Sequence, residues 1–378
     1  MTAALLASPL AEEAETPDYL TRQLITCLGN KRALLSEIEA AVTKVQRRLG
    51  RAQLRILDAF SGSGSVSRLF KRHARYLAVN DLEDYAAVAA RCYLRNRSSV
   101  DGHALARLID DLNAAVERSH RSRGFIEELY APRDEAQITS SDRVFYTRSN
   151  ARRLDAYRRL IGDVPADLRD LCLGPLLSEA SVHANTAGVF KGFYKDRHTK
   201  IGRYGGSHGD ALERIRGQIV LDVPPLSRFE CEVDVLQDDA NAAVAGVRDL
   251  DLAYFDPPYN QHPYGSNYFM LNLLVDYRRP ERLSRVSGIP AGWRRSGYNV
   301  RARSLALVSD LFSKTDARFL LVSYNDEGFV DPARMRALLT TLGTIEEVCL
   351  RYNAFRGSRN LRGRPTHVTE HLFLVERR

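Results

Sequence analysis

Asp256-Pro257-Pro258-Tyr259 is the run in this chain best equipped for chemistry. It follows the apolar stretch Leu252–Phe255, which reads as a strand, so its carboxylate stands at a carboxyl-terminal strand tip, where doubly wound folds bind ligands. The two prolines fix φ and remove two N–H groups, leaving carbonyl oxygens as acceptors. An amino group on a planar base presents two N–H donors, and the Asp256 carboxylate with the Pro257 carbonyl can accept both. That holds the nitrogen and makes its lone pair more available, while Tyr259 offers a ring for an extruded base to stack on. Four such residues alone also suit an ordinary Pro-Pro turn.

A second run, Asp58-Ala59-Phe60-Ser61-Gly62-Ser63-Gly64-Ser65, follows the short apolar segment Leu54–Asp58. Glycines after a strand let the backbone approach a ligand, and a helix start supplies N–H donors. Tight strand-to-helix turns use glycine for geometry alone, so Asp58, Phe60, Gly62 and Gly64 are candidates rather than a signature. The dinucleotide pattern is incomplete, because Arg68, Leu69 and Phe70 stand where its third glycine is wanted. This favours S-adenosylmethionine over a nicotinamide cofactor. Asp81 ends the next apolar segment, Tyr76–Val79, and can accept from ribose hydroxyls or cap a helix. Asp239, or its neighbour Asp238, ends the segment that starts near Phe229 and can meet the cofactor's adenine amino group, though alone it also suits a surface aspartate.

The elements that must hold these residues follow from periodicity. Leu34, Leu35, Ile38, Val42 and Val45 trace a helix after the loop Gly29-Asn30-Lys31. Strand, glycine turn, helix over Val66–His73 and strand is the opening of a parallel doubly wound sheet. Strand patterns resume at Phe229–Val235, Leu250–Phe255 and Phe319–Ser323. A helix at about Pro332–Leu342 and an antiparallel pair at Thr344–Tyr352 and His371–Val375 close the chain. Between them the stretch 97–225 is helix-rich and charged, with a glycine-laden loop at Gly188–Gly209. The expected division is a loose tail at 1–18, a catalytic domain from 19–96 and 226–378, and an insert at 97–225.

Motif order carries a resemblance. Gly29-Asn30-Lys31, the Asp58–Gly64 loop, Asp81, Asp239 and Asp256–Tyr259 resemble the ordered motifs of the alpha group of amino-methylating DNA methyltransferases, the Dam-like adenine enzymes. The resemblance implies an α/β, Rossmann-like S-adenosylmethionine-dependent methyltransferase fold with a mainly helical and loop target-recognition insert. It implies that Gly29, Asn30 and Lys31 meet the methionine part of S-adenosylmethionine. It implies methyl transfer to adenine N6 in a specific DNA sequence, by base flipping and direct in-line displacement, which needs no metal. Cytosine N4 methylation is the sibling reading, though enzymes of that type tend to carry Ser where Asp256 stands. RNA bases or a protein amide are further acceptors for such a box. The insert aligns on no known recognition domain, so the target sequence stays open.

Charge and composition fit this reading. The 378 residues carry a net charge of +8, 44% hydrophobic and 27% charged residues, as in a globular protein with a polyanionic partner. Lys191, Lys195, Arg197, Lys200 and Arg203 stand against the single acid Asp196, interleaved with Phe190, Phe193, Tyr194 and Tyr204. Arg351, Arg356, Arg359, Arg362 and Arg364 form a second basic stretch beside Tyr352 and Phe355, and Trp293-Arg294-Arg295 a third. Solvated charge runs are common, but loops mixing cations, glycines and aromatics suit phosphate contact and base stacking. Five scattered cysteines point to a reducing compartment, and no apolar run is long enough for a membrane, so the cytoplasm is the expected location. No nuclease constellation is present, which leaves any restriction endonuclease to a separate chain.

Overall fold

The computed structural model describes residues 15–22, 24, 25, 29, 31–119, 123–206, 209–353 and 367–378. Seven strands, β1 (Leu54–Asp58), β2 (Ala74–Asn80), β3 (Glu232–Leu236), β4 (Leu250–Phe255), β5 (Ala317–Asn325), β6 (Gly343–Asn353) and β7 (His367–Arg377), form one sheet. Their order is β3-β2-β1-β4-β5-β7-β6; β1 to β5 are parallel, and β7 runs antiparallel to both β5 and β6. The order reverses between β1 and β4. The crevice outside their carboxyl ends is where such a sheet binds ligands.

Alternation along the strands divides the core. Ile56, Leu77, Leu252 and Phe319 meet Ile38, Val42 and Val45 of the helix Leu35–Leu49 on one face. Leu57, Ala78, Ala253 and Phe255 meet Leu311, Phe312, Met335 and Leu339 on the other. β4 is buried along its whole length, which its acid Asp251 tolerates because it accepts from the Arg55 N–H at 2.8 Å and pairs with Arg51. β3 begins three residues later than the apolar pattern suggests. Phe229 and Cys231 give their N–H groups to the side chains of Ser227 and Asn96, so that stretch enters the sheet as a side-chain-tied turn.

The stretch 97–225 is mainly helical: Gly102–Ser119, Phe125–Tyr130, Arg148–Gly162, Ala166–Val182 and Leu212–Arg216. Its hydrophobic core runs on without a break into the helices Asp84–Tyr93 and Phe269–Asp276. Gly174 makes the closest approach possible, since a Cβ there would lie 2.5 Å from Cys92 Sγ. The segment read as a tail is packed from residue 15 onward. Glu15 is buried and accepts from Ser227 and the Arg228 N–H, and Pro17–Thr21 is a short helix whose Tyr19 hydroxyl reaches the Tyr93 carbonyl at 2.8 Å. Among the described residues no helix is long and apolar enough to cross a membrane.

Candidate active site

A cleft spanning about 940 Å³, open solvent at its mouth included, lies at the carboxyl ends of β1, β2, β3 and β4. Asp58, Phe60, Gly62, Asp81, Asp239, Asp256, Pro258, Gly29 and Lys31 all line it, so residues spread over more than two hundred positions converge on one space. Gly64 adopts φ +75° and caps the helix Ser65–His73 beside it, and Gly62 adopts φ +52°. Asn30, Arg356 and Arg359 lie outside the described residues, as do Arg362, Arg364 and Phe355.

Lys31 joins the two ends of the chain's chemistry. Its Nζ stands 2.9 Å from Asp256 Oδ1 and 3.1 Å from Glu370 Oε1, in a site where Lys31 is 4% and Glu370 0% exposed. Glu370 also accepts from Ser323 Oγ at 2.6 Å and Asn325 Nδ2 at 3.3 Å. Burial pulls the Lys31 ammonium down, but the two carboxylates outweigh it and hold it well above the usual lysine range. Burial pushes Asp256 up to about 6, against the pull of Lys31 and with the help of Glu370. Glu370 was invisible as a site residue in the sequence. Its signal is an acid at an inward position of β7, between the buried Val368 and Leu372, which demands a buried partner.

Asp58 is 1% exposed, accepts from Ser67 Oγ at 2.5 Å and is pushed up to about 7 by burial, with Asp256 and Asp81 adding to the rise. Asp81 takes the Gly62 N–H at 2.8 Å and the Glu83 N–H at 2.9 Å, tying the glycine loop to β2. Asp239 caps the helix Ala240–Gly246 through the Asn241 N–H at 3.0 Å and stands at the exposed rim. Gly29 has φ +71°, and a Cβ there would sit 3.3 Å from the Tyr264 hydroxyl. Tyr259 packs edge-on to Tyr324 at 6.2 Å, and burial lifts its phenol to about 12.

Sequence reasoning also missed the far wall. Residues 294–299 cross the cleft: Arg294 pairs with Asp84 at 2.7 Å, Tyr298 donates to Asn241 Oδ1 at 2.6 Å, and Asn299 Nδ2 donates to the Asn260 carbonyl at 2.7 Å. Arg294 belongs to the Trp293-Arg294-Arg295 run, but no motif marks Tyr298 and Asn299; only the return of the chain over β4 brings them there. Glu83, pushed up to about 7 by burial, takes Asn272 Nδ2 at 2.5 Å on the same rim.

The aromatics among the first basic stretch are corrected by the fold. Phe190 and Phe193 are 2% and 9% exposed and pack with Phe145, while the Tyr204 hydroxyl donates to the Tyr146 carbonyl at 3.0 Å. They anchor the loop to the core, since apolar rings gain more there than in water, and are not stacking faces. The cations do stay outside: Lys191, Arg197, Lys200 and Arg203 are exposed, and Lys195 lies over the Phe193 ring at 4.8 Å. Cys349, isolated in the sequence, has a histidine neighbour in the fold. The β6–β7 register sets Cys349 opposite His371, with Sγ 3.5 Å from Nδ1 and Glu347 beside both.

Residues 28–204 and 218–337 match the family described as D12 class N6 adenine-specific DNA methyltransferase. The chain is 27% identical over 335 residues to Type II methyltransferase M.NlaIII of Neisseria lactamica, covering 85% of this chain and 90% of that protein. It is 26% identical over 340 residues to Type II methyltransferase M.CviAII of Paramecium bursaria Chlorella virus 1, covering 88% and 93%. It is 24% identical over 368 residues to Modification methylase StsI of Streptococcus sanguinis, covering 93% of this chain and 52% of that protein. The family is specific for adenine N6, which sets aside the cytosine N4, RNA and protein acceptors. The chain belongs to the D12 class of N6 adenine-specific DNA methyltransferases, and it is an S-adenosylmethionine-dependent, site-specific adenine DNA methyltransferase.

Proposed function

We propose that this enzyme is of the Dam-like alpha group and that Asp256-Pro257-Pro258-Tyr259 is its catalytic box. The reading rests above all on the Lys31–Asp256–Glu370 cluster at the β1/β4 switch point. Asp256 Oδ1 is engaged by Lys31, which leaves Oδ2 and the Pro257 carbonyl to accept the two N–H groups of an extruded adenine. Lys31 keeps Asp256 ionised, so the carboxylate acts as an acceptor and polarises the amino nitrogen. Tyr259 provides the ring against which the base lies.

The lining fits S-adenosylmethionine. Asp58, Asp81, Glu83, Asp238, Asp239 and Asp256 face the cleft against Lys31 and Arg294 among the described residues, which suits a ligand with ammonium and sulfonium charge and ribose hydroxyls. Gly29, Asn30, Asp58, Phe60, Gly62, Gly64, Asp81 and Asp239 are the residues assigned to hold it. Lys31, read from the sequence as a contact of the methionine part, is assigned to position Asp256 instead. When bound, S-adenosylmethionine supplies the electrophilic methyl group. The chain's own contribution is placement and electrostatics.

Residues 97–225 serve target recognition in this reading, between catalytic parts at 19–96 and 226–378, and the exposed cations Lys191, Lys195, Arg197, Lys200 and Arg203, with Arg356 and Arg359, contact DNA. The relatives' names, Type II methyltransferase and modification methylase, support service beside a separate restriction endonuclease, and the cytoplasm is the location this reading assigns. The test is methyl transfer from labelled S-adenosylmethionine to unmethylated genomic DNA, with nucleoside analysis. Label in N6-methyladenine that vanishes in Asp256→Ala, with cofactor binding retained, supports the assignment. Undiminished transfer by Asp256→Ala contradicts it.

A further inference from the structure

We propose that a second groove, beside the catalytic box, carries the DNA strand that bears the target adenine, with Lys191 and Arg282 clamping its phosphates and Trp293 forming its wall. The inference rests on the reading of Asp256 as the catalytic residue and extends it to the path of the substrate. The groove spans about 1090 Å³, open solvent at its mouth included. Gln261, Pro263 and Ser266, within seven residues after Tyr259, line it together with Arg282, Trp293 and Lys191. A strand lying there presents its extruded base to the box without leaving the groove.

The walls are fixed to each other and to the core. Ser287 Oγ donates to the Lys191 carbonyl at 2.6 Å, the Phe190 N–H donates to the Asn267 carbonyl at 2.7 Å, and Tyr130 donates to the Gly288 carbonyl at 2.8 Å. Ser284 and Ile289 close the tight loop between them, with the Ser284 N–H on the Ile289 carbonyl at 2.9 Å. Two stretches that look unrelated in the sequence, the Lys191 loop and the Trp293-Arg294-Arg295 run, thus share one surface.

Charge identifies the occupant. Residues 277–300 carry Arg278, Arg279, Arg282, Arg285, Arg294 and Arg295 against Glu281 alone. Arg278, Arg279 and Arg294 are spent on Asp276, Glu128 and Asp84. Arg282, Arg285 and Arg295 make no ion pair among the described residues, and Arg282 and Arg285 are exposed. The groove lining contains no carboxylate among the described residues. Arg295 lies over the Trp293 ring at 4.3 Å, an arrangement that fixes a cation beside an aromatic wall. A phosphate backbone matches this set, and neutralising each phosphate releases counterions.

Trp293 is the single tryptophan of the chain, so its emission reports the groove directly. The experiment titrates a fluorescein-labelled duplex into the full chain with S-adenosylhomocysteine present, following tryptophan emission and label anisotropy over a salt series. The wild type changes Trp293 emission as duplex binds. The double variant K191A/R282A binds about tenfold to a hundredfold more weakly at fixed salt, and the slope of log affinity against log salt falls by about two. Its thermal stability and cofactor affinity stay at wild-type values, as does everything in Arg75→Ala, an exposed cation at the far end of β2. A wild-type slope in the double variant, or unchanged Trp293 emission while anisotropy reports saturation, overturns the groove. Loss of the Asp256 assignment shows instead as undiminished methyl transfer by Asp256→Ala, a result that leaves this binding measurement standing.

Discussion

In the crevice at β1 and β4 the charges turn inward, whereas in the loop spanning 188–206 the aromatics turn inward and the charges stay in water. Both regions are built from the same kinds of residue. Lys31, Asp58 and Glu370 are buried, and Asp256 is partly so with 18% of its side chain exposed, because each finds a partner there: a counter-charge, a serine hydroxyl or a backbone N–H. Lys191, Arg197 and Lys200 have no such partner inside and remain exposed, while Phe190 and Phe193 complete the core beneath them. A buried charge must be satisfied, and a parallel strand end is where the backbone leaves room for that. A loop has no such obligation, so its apolar residues decide its fold.

The largest predicted effect strikes the cluster. Lys31→Met leaves Asp256 and Glu370 without their counter-charge, which costs about 3–5 kcal/mol of stability. It also removes the pull that lowers Asp256, so the acid limb of activity moves upward in pH and turnover at neutral pH falls. A denaturant titration and a pH–rate profile check the two parts. On the loop side, Phe190→Ala costs about 3–5 kcal/mol through loss of core packing. A true stacking residue would lose DNA affinity with melting temperature intact, and that outcome would undo the contrast between the regions.

Gly29→Ala comes next. A side chain at φ +71° costs about 1–2 kcal/mol, and the Tyr264 hydroxyl at 3.3 Å must also give way. Isothermal titration with S-adenosylhomocysteine then shows weakened binding. Asp58→Asn acts in the opposite direction on the ligand-free protein. The folded carboxyl of Asp58 is raised to about 7, so its contribution to stability is present below the unfolded value and lost as pH rises through 7. The variant therefore melts higher than wild type at pH 8 and equal to it near pH 4, and it loses thermal stabilisation by S-adenosylhomocysteine. The smallest effect belongs to Lys195→Ala. Its salt slope for DNA falls by about one while sequence preference is unchanged.

Much of the crevice was legible in the sequence because strand ends announce themselves. An apolar run followed by Asp58, Asp81 or Asp256 fixes both the strand and the place of its last side chain, and the sheet order brings those tips together. Glu370, Asn299 and Tyr298 were not legible, since their positions depend on how β7 and the 294–299 segment return across the sheet. No local period encodes that. The loop aromatics misled for a related reason: the spacing of Phe190 and Phe193 says nothing about which side faces the Phe145 ring. The packed residues 15–18 were hidden likewise, because Glu15 is held by Ser227 and Arg228, two hundred positions away.

The central claim is that Asp256 works as a carboxylate whose ionisation is set by Lys31 and Glu370. The most direct measurement is the pH dependence of single-turnover methyl transfer in wild type and Glu370→Gln. Burial and Glu370 hold Asp256 up at about 6, so the wild-type rate falls as pH drops through that value. Removing the Glu370 charge leaves Lys31 to Asp256 alone and shifts the acid limb to lower pH. An acid limb that stays in place, or moves upward, contradicts the account.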